Sequence, residues 1–355
     1  MTQLRKLPHL IARISTTCLV LLAGVWAAGV LFYRLPTPQI FRITLATVFI
    51  LASLFVVWSI WHERWKAAAT FFVAVGLVGF YWNTINPSLS RNWAPDVGRM
   101  AWVETADRVT IHNVRNFEWK TDNDFIERWE DRSYDLSKLK TVNVFLSYWN
   151  GDTIEHVIMS FGFDTPAGII EQVAFSFEAR KQVGQAYSST AGFFKENELI
   201  GIAADERDVI RVRAVVRGED VRQYRSNVTP VEARAWFNDY VKELNELASI
   251  PKFYNTLTTN CTTVIFRMAK HLDPRLQYSW RILLTGHLPE YLYQINAVDT
   301  SIPFSELQLK ARVSIKSAAA GDTRDYSRLI RLGLPIPQAN SPRKSGTTVF
   351  DAFAK

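Results

Sequence analysis

Only two cysteines occur among the 355 residues, and one of them stands where a thiol could work. Cys18 falls inside a long apolar run, whereas Cys261 follows the polar stretch Thr256-Leu257-Thr258-Thr259-Asn260. A helix is predicted to start at Asn260 or Cys261, with Val264, Ile265, Met268 and Leu272 on one face. That start puts the thiol on a first turn, where free backbone N–H groups and the positive end of the helix dipole stabilise a thiolate and can hold an oxyanion. The plainer reading is a buried, inert cysteine that fills a small gap.

A working thiol needs a base. Of the six histidines, His9 and His62 accompany the apolar N-terminal runs, which leaves His112, His156, His271 and His287. His156 carries the most information, because strand alternation over Glu155 to Phe163 puts Val157, Met159, Phe161 and Phe163 on one face and His156, Ile158 and Ser160 on the other. The next strand behaves alike: Val173, Phe175 and Phe177 face a core, while Ser176 and Glu178 take the side where either could orient an imidazole. A cysteine, a histidine and a polar third member make up the general arrangement of an activated thiol. Glu178 is the preferred orienting residue and Ser176 the second; for His156 the plainer reading is an ordinary surface residue. No metal or cofactor is expected, since His271 and His287 are far apart, no CxxC or HExxH spacing occurs, and the two cysteines sit in different surroundings.

These residues must be carried by strands and helices of a mixed α+β kind. Thr141 to Tyr148 and Glu155 to Phe163, joined by Trp149-Asn150-Gly151-Asp152, read as a hairpin, and Val173 to Glu178 and Val209 to Val216 as further strands. Asp205-Glu206-Arg207-Asp208 reads as a solvated turn before the last of these. Arg207, Arg211, Arg213 and Arg217 then fall on an exposed strand face, with lipid headgroup contact as the alternative. Thr229, Pro230 and Glu232 supply an N-cap, a first-turn proline and a capping-box acid for a helix that should end near Ser249.

The first 82 residues have a different character. Ser15 to Tyr33, Ile43 to Trp61 and Ala67 to Trp82 are three apolar runs, read as membrane spans, with Trp26, Trp58, Trp61, Tyr81 and Trp82 as ring anchors. A cleaved signal peptide explains one such run but not three. Arg5, Lys6, Arg13, Arg64 and Lys66 outweigh Arg34 and Arg42 across the spans, so the positive-inside bias puts the N-terminus in the cytoplasm and everything after Asn83 outside. Span interiors carry no charged residue, which gives a transport role no candidates. Residues 1–92 hold eight basic residues and the single acid Glu63, so the formal charge of +7 sits entirely there. The neutral remainder lacks the basic footprint of a nucleic-acid-binding domain.

From about His112 to His271 the sequence resembles the Lnb N-terminal periplasmic domain family, also called DUF4105. The segments that carry the resemblance are Asn113-Val114-Arg115-Asn116-Phe117, Phe145-Leu146-Ser147-Tyr148-Trp149, His156 with Ser160-Phe161-Gly162-Phe163, Glu178-Ala179-Arg180-Lys181, Asp205-Glu206-Arg207-Asp208-Val209-Ile210, and Tyr254-Asn255-Thr256-Leu257-Thr258 leading to Asn260-Cys261-Thr262-Thr263. The resemblance implies a papain-like thiol fold, similar to circularly permuted NlpC/P60 proteins, in which the histidine strand precedes the cysteine helix. The family's namesake is a bacterial lipoprotein N-acyltransferase, which implies acyl transfer between lipids and a protein N-terminus.

The expected organisation is then a three-helix membrane anchor over 1–83, a linker and lead-in over 84–111, a periplasmic thiol-enzyme domain over 112–300, and a C-terminal extension over 301–355, partly disordered from Gln338 on. The expected function is that of a bacterial inner-membrane cysteine acyltransferase, in which Cys261 and His156 move an acyl chain from a membrane lipid to a lipoprotein or other envelope amine. The alternatives are a papain-like cysteine hydrolase, either a peptidase or a cell-wall amidase, and a non-enzymatic envelope scaffold.

Overall fold

The computed structural model describes residues 7–149, 151–274, 276–282 and 285–338. The expected tail lies outside them except for Gln338. The chain divides into two compact units, one made of residues up to Ser88 together with Tyr187–Asn197, the other of Leu89–Ala186 and Glu198 onward.

In the first unit α1 (Leu7–Arg34), α2 (Gln39–Trp61) and α3 (Trp65–Thr84) are long and apolar enough to cross a membrane. At about 1.5 Å per residue the shortest, of 20 residues, still measures about 30 Å. Val20, Val56, Ile60, Ala68 and Phe71 pack between the helices, while Leu22, Val73 and Phe80 point outward. The Tyr187–Asn197 segment closes one end: Phe194 stacks on Tyr33 at 5.2 Å, and Lys195 Nζ donates to the carbonyls of Trp82 and Ile85 at the end of α3.

The second unit is α+β, with a mainly antiparallel sheet, as expected. Its strands are β1 (Trp102–Thr105), β2 (Val109–Arg115), β3 (Glu118–Trp119), β4 (Phe125–Ile126), β5 (Trp129–Tyr134), β6 (Leu139–Tyr148), β7 (Glu155–Asp164), β8 (Ile170–Arg180), β9 (Glu198–Ala204) and β10 (Asp220–Arg225). The main sheet runs β1-β2-β9-β8-β7-β6-β10 with β5 beside β2, and β3 pairs with β4 apart from it. β1 and the start of β2 thus lie in the stretch read as linker and lead-in. The helices are α4 (Glu206–Arg211), α5 (Pro230–Ser249), α6 (Cys261–Leu272), α7 (Leu288–Gln294), α8 (Phe304–Ala311), α9 (Ser314–Ala320) and α10 (Tyr326–Leu329).

Both faces of the sheet are covered. Val157, Met159, Phe161, Phe175 and Phe177 pack against Phe237, Tyr240 and Leu244 of α5 and Val264 and Ile265 of α6. On the opposite face Phe145, Ile158, Ile200 and Ile202 meet Val209 and Ile210 of α4, Ala320 of α9 and Tyr326 of α10. The face that carries His156 is therefore a second core rather than a surface.

One predicted strand is wrong. Val209 to Val216 is the end of α4 followed by a short π-helix, Val212–Val216. Asp205 caps α4 by accepting the Arg207 N–H, and Glu206 and Asp208 sit on the first turn, where the helix dipole favours acids. The β-branched residues that suggest a strand instead bury Val209, Ile210 and Val212 from a helix. Asp205-Glu206-Arg207-Asp208 is likewise no solvated turn, because Glu206 and Asp208 are fully buried. Arg115 Nε and Nη2 each donate to Asp208 at 3.0 Å, and Asp208 also accepts from Phe117 N and Trp119 Nε1. Glu206 pairs with Arg331.

A buried charge stripped of its partner destabilises far more than a broken surface pair. Asp208→Ala leaves Arg115 and two N–H donors unmatched and is expected to lower unfolding stability by about 3–5 kcal/mol. Asp325→Ala, which opens the exposed Arg328–Asp325 pair, should cost no more than about 1 kcal/mol. Denaturant unfolding followed by tryptophan fluorescence measures both, and equal small losses would contradict the assignment of Asp208 as a structural hub.

Candidate active site

Cys261 is the first residue of α6, and local polar contacts fix it there. The Asn260 side chain accepts from Thr263 N at 2.8 Å, and Thr263 Oγ1 accepts from Asn260 N at 2.9 Å, which closes a reciprocal capping box. The preceding turn is tied by Asn255 Oδ1, which accepts from Leu257 N and Thr258 N, and by Asn260 Nδ2, which donates to the Thr256 carbonyl.

The sheet opens where the thiol sits. Strands β7 and β8 pair from Asp164↔Ile170 as far as Ile158↔Ser176, after which β8 continues along β9 and β7 along β6 alone. One residue past the last β7–β8 pair, the Val157 N–H lies near the Cys261 sulfur and favours its thiolate. The thiol is buried, with Thr262 Oγ1 3.8 Å from the sulfur.

His156 lies close enough to the same sulfur for each group to shift the other's pKa. Its Nε2 lies 2.6 Å from Ser176 Oγ, whose own hydrogen is committed to Glu178 Oε1 at 2.8 Å, so the ring donates to the serine. Glu178 Oε1 is 3.6 Å from Nε2, too far for a good hydrogen bond. Of the two orienting candidates, Ser176 therefore touches the ring and Glu178 stands behind it. Arg213 Nη2 donates to Glu178 Oε1 at 2.8 Å and completes a row of alternating partners from guanidinium to thiol.

Electrostatics follow that row. Burial works against ionising Glu178, but the Arg213 charge, the His156 contact and the more distant Arg115 hold its carboxyl well below the usual range. Burial alone would lower the His156 pKa; the Cys261 charge and hydrogen bond, with Glu178, raise it to about 9. Burial would raise the Cys261 thiol, and the His156 charge and hydrogen bond, helped by Val157 N–H, bring it down to about 7. Between those two values the pair is a thiolate beside an imidazolium.

On the other side of the thiol lies a second acid. Glu155 projects to the α5–α6 face, is 4% exposed, and neither carboxyl oxygen has a hydrogen-bond partner. Burial first, then repulsion from the Cys261 charge, pushes its carboxyl well above the usual range. Both effects favour its protonated form. The buried Tyr240 hydroxyl, also unpartnered, is pushed up for the same two reasons.

Cys261, His156, Ser176 and Glu178, singled out in the sequence, are thus brought together. His112 stacks on Trp102 and contacts Asp131, His271 contacts Asp239, and His287 contacts Glu290, all away from this cluster. Among the described residues no group of three or more His, Cys, Asp or Glu side chains could hold a metal ion. Sequence reasoning missed Arg213, placed on an exposed strand face with headgroup contact as the alternative. It is 5% exposed and leaves the π-helix to meet Glu178. Glu155 was missed too, although its place beside His156 on the opposite strand face is a usable signal.

The segment that holds Cys261, His156, Ser176, Glu178, Arg213 and Glu155 matches a known family: residues 125–287 match the Lnb N-terminal periplasmic domain, the family the motifs resemble. Together with the three apolar helices, the match marks a membrane protein with a periplasmic domain. No curated protein and no solved structure matches the chain significantly.

Thiol reactivity reads the pair directly. Alkylation of Cys261 by iodoacetamide should follow a single rise with pH centred near 7, since only the thiolate reacts. In His156→Ala the raising effect of burial is unopposed by the ring, so the midpoint should move above the ordinary value of about 8.5. A midpoint left unchanged by His156→Ala would dissolve the pair.

Proposed function

We propose that this protein is a membrane-anchored cysteine acyltransferase of the bacterial inner membrane that carries an acyl chain from a membrane lipid to an amine through a thioester on Cys261. The observation that supports it above others is the buried Cys261–His156 couple at the start of α6, oriented through Ser176 and Glu178. Three helices able to cross a membrane favour a lipid as donor, because anchoring raises the frequency of encounter with the bilayer. The basic residues Arg13, Arg64 and Lys66 favour a cytoplasmic N-terminus and a periplasmic catalytic domain. The order of histidine strand β7 before cysteine helix α6, with α6 packed on the sheet, supports a permuted papain-like reading of the fold.

The steps follow from the charge states. The Cys261 thiolate attacks an ester carbonyl of the lipid, forming the S–C bond, and the oxyanion lies near the free N–H groups of the first turn of α6. As the C–O bond breaks, the His156 imidazolium gives its proton to the departing alkoxide. An amine of a lipoprotein or other envelope acceptor then attacks the thioester, His156 takes the amine proton, the C–S bond breaks, and the thiolate–imidazolium pair is restored. Ser176 and Glu178 keep the ring aligned, Glu178 stabilises its charge, and Arg213 holds Glu178 in place.

Incubated with a diacyl phospholipid and no acceptor, the full chain should gain the mass of one fatty acyl group, removable by hydroxylamine and absent from Cys261→Ala. Glu178→Gln should slow acylation by roughly 10–100-fold in protein that still folds, because the carboxylate acts through the ring, and should also lower unfolding stability because Arg213 loses its counter-charge. No adduct with any lipid class, accompanied by release of fragments from peptide or cell-wall substrates, would replace the transferase with a hydrolase; inertness toward both would leave a scaffold.

Orientation is tested separately. A reporter active only in the periplasm should work when fused after residue 300 and fail when fused near residue 64, and the reverse pattern would overturn the orientation.

A further inference from the structure

We infer that the apolar cavity beside the thiol is the seat of the hydrocarbon chain of the acyl group, an inference that rests on the acyl-transfer reading and assigns it a binding site. The cavity encloses ≈ 80 Å³ behind α6. Ile265, Ala269 and Leu272 of α6 form one wall, and Trp236 of α5 with Tyr291 and Leu292 of α7 form the other. None of the described lining residues is charged.

Its position sets it apart from an ordinary packing void. Two lining residues adjoin the thiol: the Thr262 hydroxyl lies 3.8 Å from the Cys261 sulfur, and the Val157 backbone N–H favours the thiolate. The space therefore begins one residue from the atom that would carry the acyl group. An apolar void forfeits dispersion contacts along its whole lining, a loss that a hydrocarbon chain recovers and water does not. Peptide or sugar chains would bring polar groups for which this lining offers few partners.

Size makes the inference quantitative. At roughly 30 Å³ for a water-sized group the cavity takes about three methylene or methyl groups. Each buried methylene should raise the rate of acylation by about fourfold until the space is full.

The full-length protein in detergent can be acylated with p-nitrophenyl acetate, butyrate, hexanoate and octanoate. In that step the Cys261 sulfur bonds to the carbonyl carbon, the C–O bond breaks, and p-nitrophenolate leaves with the electron pair and is read by its colour. The expected result is a rate that climbs by roughly an order of magnitude from acetate to butyrate and flattens for longer chains. Ala269→Phe, which fills the cavity from α6, should abolish the climb, so that butyrate and hexanoate react no faster than acetate in that variant. Trp236→Leu, which enlarges it from α5, should move the plateau to longer chains. Thermal unfolding of each variant shows that the fold is retained, and either variant alone decides if the other fails to fold. A butyrate rate no higher than the acetate rate, or a chain-length dependence untouched by a folded variant, overturns the cavity assignment and leaves the thiol chemistry standing. Absence of acylation even by acetate removes both.

Discussion

An ionised pair buried beside a protein core survives only if every charge in it has a partner close at hand, and this domain satisfies that constraint with a continuous row of polar side chains. Arg213 holds Glu178, Glu178 holds Ser176, Ser176 holds His156, and His156 holds Cys261. Each contact is an ordinary one; what matters is that none ends in an unmatched charge. Remove the guanidinium and Glu178 has only His156, the Ser176 hydroxyl and the more distant Arg115 to set against the cost of burial. Remove the carboxylate and the imidazolium loses a counter-charge, so that burial pulls its pKa down and the thiol loses the cation that ionises it.

The fold is arranged so that this row can form. Ending the β7–β8 ladder at Ile158↔Ser176 frees the sulfur's place at the sheet and leaves Val157 N–H for it. Two further buried ion pairs hold α4, Asp208 to Arg115 and Glu206 to Arg331, and the π-helix that continues α4 carries Arg213 to Glu178. C-terminal helices take part as well, since α9 and α10 cover the face that would otherwise expose His156's neighbours Ile158 and Phe145. On the opposite side of the thiol, burial and the Cys261 charge both push the Glu155 carboxyl and the Tyr240 hydroxyl toward their uncharged forms.

What could be read in the sequence was whatever depended on near neighbours. The β6–β7 hairpin follows alternation across a turn, α5 follows a capping box visible as Thr229, Pro230 and Glu232, and α6 begins at a capped Asn260. The same alternation was enough to put His156, Ser176 and Glu178 on a common face. Arg213 was not legible, because its partner is 35 residues away and its own segment, rich in β-branched residues, imitates a strand while forming a π-helix. The acids of Asp205 to Asp208 misled for a related reason: they look solvated until Arg115 and Arg331, distant in sequence, arrive to bury them. Strand β9, buried along its whole length, offers neither alternation nor helical spacing to mark it.

The central claim is that Cys261 and His156 ionise each other inside the domain. ¹⁵N chemical shifts of the His156 ring, followed through a pH titration of the full chain in detergent, measure it from the side of the base. The account expects an imidazolium that persists up to about pH 9 in the native protein, because the thiolate's charge outweighs burial. In Cys261→Ala that charge is gone, and the ring should lose its proton at markedly lower pH. An identical titration in the two proteins would show that the histidine does not sense the thiol, and the nucleophilic pair would have to be abandoned.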